Sequence, residues 1–279
     1  MTWDELDSVF AAAPGTVSVY VGRPGVRPAY TRRPDAPHYA ASTMKVAVLA
    51  ALHRAAEAGA LDLDAPVPVR NDFVSAKPGA DRFSCRPDHD NDGAVWARLG
   101  GTASLRWLAE RMIVRSSNLA TNLVLGHVGL PAVAAVWADS GARHSRTGRG
   151  IEDLAARDAG LDNQVTAADL AGLFAAITRS RLAGPAACTS MLEVLLRQER
   201  GEDLAAGLPA GTRIAHKNGW IRGVRHGAGM IFPDDAPPYA VVVCTSATPG
   251  GAGDDAAACR LIARVSATAW AARHRLASD

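Results

Sequence analysis

Ser42-Thr43-Met44-Lys45 places a hydroxyl three residues before an amine. On a helix that spacing puts both side chains on one face, one turn apart. The apolar run Val46 to Leu52 that follows reads as the buried body of that helix, with Ser42 at or near its N-terminus. Free backbone N–H groups and the positive dipole end there favour negative charge on a bound group. The same field, with desolvation, lowers the pKa of Lys45 toward a base able to take the serine proton. The pattern alone also fits an N-cap serine with a snorkelling lysine.

Two further clusters follow in order. Ser116-Ser117-Asn118 sits within Met112 to Asn122, and Lys217-Asn218-Gly219 ends the extended segment Thr212 to Lys217. Three such motifs in this order resemble S-x-x-K, S-D-N and K-T-G of the serine penicillin-recognising enzymes. Over nearly its whole length the chain is similar to class A β-lactamase-related serine hydrolases.

The resemblance implies roles residue by residue. Ser42 is the acylated nucleophile and Lys45 its base. Ser116 relays a proton toward the leaving nitrogen, and Asn118 hydrogen-bonds the substrate's side-chain amide. Lys217 brings positive charge to Ser116 and the substrate carboxylate. The backbone N–H groups of Ser42 and Trp220 form the oxyanion hole, commonly the largest single catalytic contribution. No cofactor or metal is implied. The expected partner is a small-molecule acyl substrate, and the chain is expected to act as a monomer.

Three departures from the family pattern bear on function. Ser117 replaces the motif aspartate, and the expectation is a structural change. Asn218 replaces the motif threonine, whose hydroxyl contacts the substrate carboxylate; an amide also donates but reaches differently. The family's deacylating glutamate, in an E-x-x-L-N pattern, aligns near Glu152 by counting back from Thr166, yet no asparagine follows in Glu152 to Ala156. Its alternative is a solvated acid in the charge-rich stretch Arg146 to Asp162. His226 takes the place of a substrate-binding arginine; Arg222 and Arg225 are alternatives, as is a strand histidine without a ligand. By strand alternation His216 points away from the Lys217 face and is expected to be structural.

These motifs need elements to hold them. Residues 2 to 13 read as a helix, ended by Pro14-Gly15. Thr16 to Val21 and Ala29 to Arg32 read as hairpin strands. A mainly helical middle follows, with Leu105, Leu108 and Met112 on one face and Thr166-x-x-Asp169 as a capping box. Strands return near 212 to 217, 226 to 232 and 239 to 245. A loop covers Thr248 to Gly253, and a last helix runs from about 254 to 275. The expected fold is α/β: an antiparallel sheet built from both chain termini and flanked by helices, with an inserted helical lobe. The expected lobes are 1–40 with 205–279, and 41–204 carrying the nucleophile. The site lies in the cleft between them, Ser42 facing Lys217 at the sheet edge.

Composition sets bounds. At 279 residues, 48% hydrophobic and 21% charged, the chain is an ordinary globular protein. A net charge of +2 gives no footprint for nucleic acid. No apolar run approaches the roughly 18 residues of a membrane span. Residues 1 to 20 hold no Lys or Arg, so no secretory signal is read and a cytoplasmic location is expected, or a periplasmic or secreted one if an export segment was removed. Cys85, Cys188, Cys244 and Cys259 are widely spaced and read as buried small hydrophobes. Asp88 to Gly93 imitates half of an EF-hand loop, but Leu99 stands where the bidentate glutamate is required. Trp96 either walls the pocket or packs into the helical lobe.

The expected reaction is β-lactam hydrolysis through an acyl-Ser42 intermediate. Alternatives are a cytoplasmic esterase, amidase or acyltransferase on another small acyl compound, a penicillin-binding protein with slow deacylation, and a non-catalytic binding module that keeps the fold.

Overall fold

The computed structural model describes residues 2–248 and 254–276. The N-terminal helix α1 (Trp3–Ala12) begins with a reciprocal capping box between Thr2 and Glu5. It leads into β1 (Thr16–Gly22), which pairs antiparallel with β2 (Tyr30–Arg32) and, on its other side, with β9 (Tyr239–Ser246). Strands β8 (Val224–Phe232) and β7 (Arg213–Ile221) complete a five-stranded sheet of order β2-β1-β9-β8-β7. The two ends of the chain therefore build one antiparallel sheet, and β7 is an edge strand.

Both faces of this sheet are covered, and strand alternation sorts its residues between them. Val17, Val19, Val21, Ile231, Val241 and Val243 pack with Leu6 and Phe10 of α1 and with Ile262 and Val265 of the C-terminal helix α10 (Asp255–Ala271). Ala215, Ala228, Met230, Ala240, Val242 and Cys244 face the other way and join the core of the helical insertion.

At the centre of that insertion is α2 (Lys45–Glu57), whose residues Lys45 to His53 are all buried. A helix apolar on every side must be surrounded. Here α4 (Leu105–Val114), α5 (Asn118–Val128), α6 (Leu130–Asp139) and α9 (Pro185–Leu196) enclose it. Next along the chain from α6 is α7 (Leu154–Asp158), and α8 (Ala167–Thr178) packs the insertion onto β1, β8 and β9. Short ladders also form in this part, β4 (Pro66–Pro68) with β5 (Thr102–Ser104) and β3 (His38–Tyr39) with β6 (Gln164–Val165). Among the described residues no single helix is long and apolar enough to cross a membrane; α5 and α6 pass that test only together, bent by 88°.

Several local expectations need correction. Thr166 caps α8 by accepting from the Asp169 N–H, but Asp169 does not reach back. Its carboxylate accepts instead from the N–H groups of Arg143, His144 and Ser145, three donors of a tight turn. Strands β7 and β8 run further toward their shared turn than the sequence suggests, to Ile221 and from Val224. Of the loop expected over Thr248 to Gly253, all but Thr248 lies outside the described residues. All four cysteines are free and buried. Trp96, on the short helix α3 (Gly93–Trp96), packs against the core of the insertion.

Candidate functional site

A 3-10 turn, Ala41–Met44, delivers the chain into α2. Ala41 is held at φ 45, a left-handed conformation costly for a residue with a Cβ. Such strain survives only where the surroundings over-determine it. Ser42 comes next and is half-buried. Its N–H is one of the first in the turn, so no preceding helical carbonyl claims it.

Lys45 is fully buried. Its Nζ donates to the Ser116 carbonyl at 2.8 Å, to Asn118 Oδ1 at 2.9 Å and to Ser116 Oγ at 3.3 Å. Burial pushes the Lys45 amine down to about 7, with Asp90 and then Cys85 pulling in the opposite direction. The first and second motifs therefore meet at one ammonium. Among the described residues Ser42 Oγ makes no side-chain hydrogen bond, so Lys45 and Ser42 share a helix face without a direct bond in this structure.

The second motif sits at the break between α4 and α5. Ser116 lies at φ 60 and is fully buried. Ser117 is the N-cap of α5, accepting from the Ala120 N–H. Ser117 Oγ donates to Asp90 Oδ2 at 3.1 Å, and the Leu119 N–H donates to the same oxygen at 2.8 Å. Asn118 Nδ2 donates to the His89 carbonyl at 2.8 Å.

The third motif lies on the edge strand β7. Lys217 is fully buried, and burial with the neighbouring Lys45 charge holds its amine well below the ordinary lysine range. Its Nζ donates to the Asn218 carbonyl at 3.0 Å. Gly219 faces the nucleophile turn: a Cβ there would lie 2.8 Å from the Ser42 nitrogen and 3.0 Å from that of Thr43. Only glycine lets the strand approach so closely. Asn218 is fully buried, its Nδ2 3.4 Å from the Arg200 carbonyl. Trp220 is half-buried, with the Arg225 and Arg200 guanidinium groups 5.2 and 5.6 Å from its ring centre.

The loop that carries Glu152 is closed by an ion pair between Arg149 and Asp162 at 2.8 Å. Asn122 of α5 pins it from inside, accepting from the Ile151 N–H at 2.8 Å and donating to the Ile151 carbonyl at 2.8 Å. Ile151 is buried in the core. Glu152 follows at φ 67. Its Oε2 accepts from the Arg86 N–H at 3.0 Å and lies 3.6 Å from His89 Nδ1. Its Oε1 is buried without a protein partner. Burial raises the Glu152 carboxyl above the ordinary glutamate range.

The Beta-lactamase enzyme family is matched over residues 1–272. The chain belongs to that family. A β-lactamase from Sphaerobacter thermophilus DSM 20745 superposes with a TM-score of 0.81 at 27% identity, covering 98% of this chain and 97% of that one. PBP-A superposes at 0.80 with 22% identity, over 96% of this chain and 94% of its own. A variant of the class A β-lactamase reconstructed for the last common ancestor of Gram-negative bacteria gives 0.81 and 22%, over 98% of each chain. At 22% these likenesses carry the fold alone. No curated protein matches the sequence.

Within this member of the β-lactamase family, the candidates diverge. Ser42, Lys45, Ser116, Asn118, Lys217 and Gly219 are brought together in one cluster. His226 does not have the free imidazole expected of it. It is fully buried, with Nε2 2.8 Å from the Tyr39 carbonyl and Nδ1 2.8 Å from the Arg225 carbonyl and 3.2 Å from the Thr245 N–H, so both ring nitrogens are engaged by backbone. Burial keeps it neutral by lowering its pKa. Arg225, the alternative, is committed to Glu202, Asp203 and Asp255. The fragment that imitates a calcium loop is also engaged: Asp90 holds α5, while Asp92 caps α3 and pairs with Arg111. A cavity of about 850 Å³ lies across the sheet beside α1 and α10 and is lined by none of Ser42, Lys45, Ser116 or Lys217.

Sequence reasoning missed Asp90, Asn122 and Arg200. Arg200 adjoins Lys217 and Trp220, and among the described ion pairs it has no carboxylate partner. Asn122 was legible as the polar position one turn beyond Asn118, on an otherwise apolar helix. Asp90 and Arg200 carry no sequence signal, because each reaches the site from a loop.

Proposed function

We propose that this chain is a serine hydrolase that opens β-lactam rings by acylation of Ser42 and releases the product slowly. The observation that supports acylation is the joint position of Lys45, between Ser116 and Asn118, with Gly219 packed against the Ser42 nitrogen. In this reading Ser42 Oγ attacks the lactam carbonyl and its proton passes to neutral Lys45. The carbonyl oxygen becomes an oxyanion between the N–H groups of Ser42 and Trp220. The C–N bond breaks as Ser116 protonates the leaving nitrogen and is itself reprotonated from Lys45. Lys217, with Arg200 beside it, attracts the substrate carboxylate. Asn118 exchanges its bond to His89 or Lys45 for the substrate amide.

Slow release is favoured by the Glu152 loop. The residue that Asn122 pins is the apolar Ile151, and one oxygen of Glu152 is committed to Arg86. A point variant of PBP-A has been captured as an acyl-enzyme complex with penicillin G, the species expected to accumulate here. The second reading is rapid hydrolysis with Glu152 Oε1 as the base that activates water, favoured by its lack of a protein partner.

Intact-protein mass spectrometry after mixing with penicillin G tests both, with Ser42→Ala as control. A Ser42-dependent adduct lasting minutes or longer supports slow release. Ring-opening without an accumulating adduct supports the second reading. If neither adduct nor ring-opening occurs, β-lactam chemistry is excluded, and activated esters are the next substrates to assay.

A further inference from the structure

We propose that Asp90 is a positioning residue of the acylation site, holding Ser116-Ser117-Asn118 from a neighbouring loop with a carboxylate that the segment itself lacks. The proposal rests on the acylation chemistry above for its kinetic consequence, but not for its geometry.

Ser116 is the residue that needs holding. At φ 60 it occupies the left-handed conformation that is strained for an L-residue. It is fixed from behind by Lys45 Nζ on its carbonyl and by the Ser117 N–H on the Arg111 carbonyl, 3.1 Å away. Ahead of it, the first turn of α5 has to be held just as firmly, or the strained residue relaxes into the cleft. Asp90 Oδ2 does this with two donors, Ser117 Oγ and the Leu119 N–H, while Oδ1 accepts from the Asp92 N–H at 3.1 Å. Both carboxylate oxygens are thereby committed, and the negative charge sits at the N-terminus of α5.

The loop that brings Asp90 is itself anchored at two points. Asp92 forms its ion pair with Arg111 of α4. The Arg86 N–H bonds to Glu152. A third contact, from the His89 carbonyl, fixes Asn118 Nδ2. So the loop 86–92 closes a frame around Ser116 on which its side-chain direction depends. The same carboxylate lies close enough to oppose the desolvation of Lys45, whose other charged or titratable neighbours are Cys85 and Lys217. Serine at position 117 fits this arrangement: its hydroxyl donates to Asp90, whereas a second carboxylate there would meet Asp90 with no proton to donate.

The test is to move the charge. The variants are Asp90→Ala, Ser117→Asp and the two combined, with Asp90→Asn added because it keeps the side-chain volume should the alanine variant not fold. Two quantities are read: the rate of Ser42 acylation by penicillin G across pH, and the titration midpoint of the Lys45 ammonium by NMR. Asp90→Ala or Asp90→Asn is expected to slow acylation by roughly 10- to 100-fold. It should also move the Lys45 midpoint, with the acid limb of the acylation profile, to lower pH, because a favourable negative charge is gone. Ser117→Asp alone is expected to slow acylation through carboxylate repulsion. The double variant is expected to return both quantities to near wild-type values. A double variant no better than Asp90→Ala, or a Lys45 midpoint indifferent to Asp90, overturns the proposal. Should wild-type protein not be acylated, the proposed function fails, and the Lys45 titration alone decides whether Asp90 acts as inferred.

Discussion

Gly219 leaves no room for a methyl group beside the Ser42 nitrogen: a Cβ on the glycine would sit 2.8 Å from that nitrogen. The edge strand thus rests directly on the turn that presents the nucleophile. Gly219→Ala must push the two apart, because the atoms its methyl meets are backbone. Donors of an oxyanion hole tolerate little displacement, and the loss of one costs on the order of 100-fold or more. Gly219→Ala is therefore expected to lower the acylation rate by roughly 10- to 100-fold. Its overpacking cost in stability is about 1–3 kcal/mol. Stopped-flow acylation beside urea unfolding measures the two effects separately.

Ser42→Ala is expected to abolish the penicillin adduct, and Lys45→Ala to come close to it, with the double variant little worse than either. Acylation needs Lys45 as the free amine, and its pKa is about 7. Below that value the amine is protonated and cannot accept the serine proton. The acylation rate should fall about tenfold per pH unit below 7 and level off above it. A pH profile that stays flat down to pH 5 would remove Lys45 from the role of base.

Glu152→Gln separates the two readings of product release. With one oxygen already bound to Arg86, the slow-release reading expects deacylation to change by less than about 3-fold. If Glu152 Oε1 activates water, the loss should be 100-fold or more. Decay of the penicillin adduct, followed by mass, measures it.

Arg200→Ala should weaken binding of β-lactams through their carboxylate. The expected signature is a KM raised roughly 10-fold with little change in kcat. A substrate ester lacking that charge should not notice the substitution.

Buried neutral histidines make stability depend on pH. Burial lowers His38 to about 3, and His53 and His216 to about 4, from an ordinary value of 6.5. Between pH 6.5 and 4 the unfolded chain therefore binds protons that the folded chain refuses, and stability falls with pH. Each histidine withdraws up to about 1.4 kcal/mol for every unit below 6.5. Asp203 and Glu152, whose burial raises their carboxyls, oppose this. Urea unfolding midpoints at pH 7 and pH 5 should show a clear loss, reduced in His53→Gln.

The sequence by itself determined the frame. Alternation of Val17, Val19 and Val21, the wholly apolar body of α2, and Pro14-Gly15 are local patterns, and they produced the sheet from both termini and the helix behind Ser42. The three motifs were legible because each is a short run on one element, and helix or strand period fixes which side chains share a face. Tertiary structure decided which groups meet across elements. His226 looked available from strand position, but the Tyr39 carbonyl and the Thr245 N–H claim both its nitrogens from separate segments. Counting brought Glu152 to the site, but only the structure shows that Asn122 pins its neighbour Ile151 to α5. The carboxylate missing at Ser117 reappears in Asp90, from another loop. Loops obey no sequence period. Their side chains reach the site only through the path of the backbone between anchors, and that path is set by hydrogen bonds to elements far away in the chain.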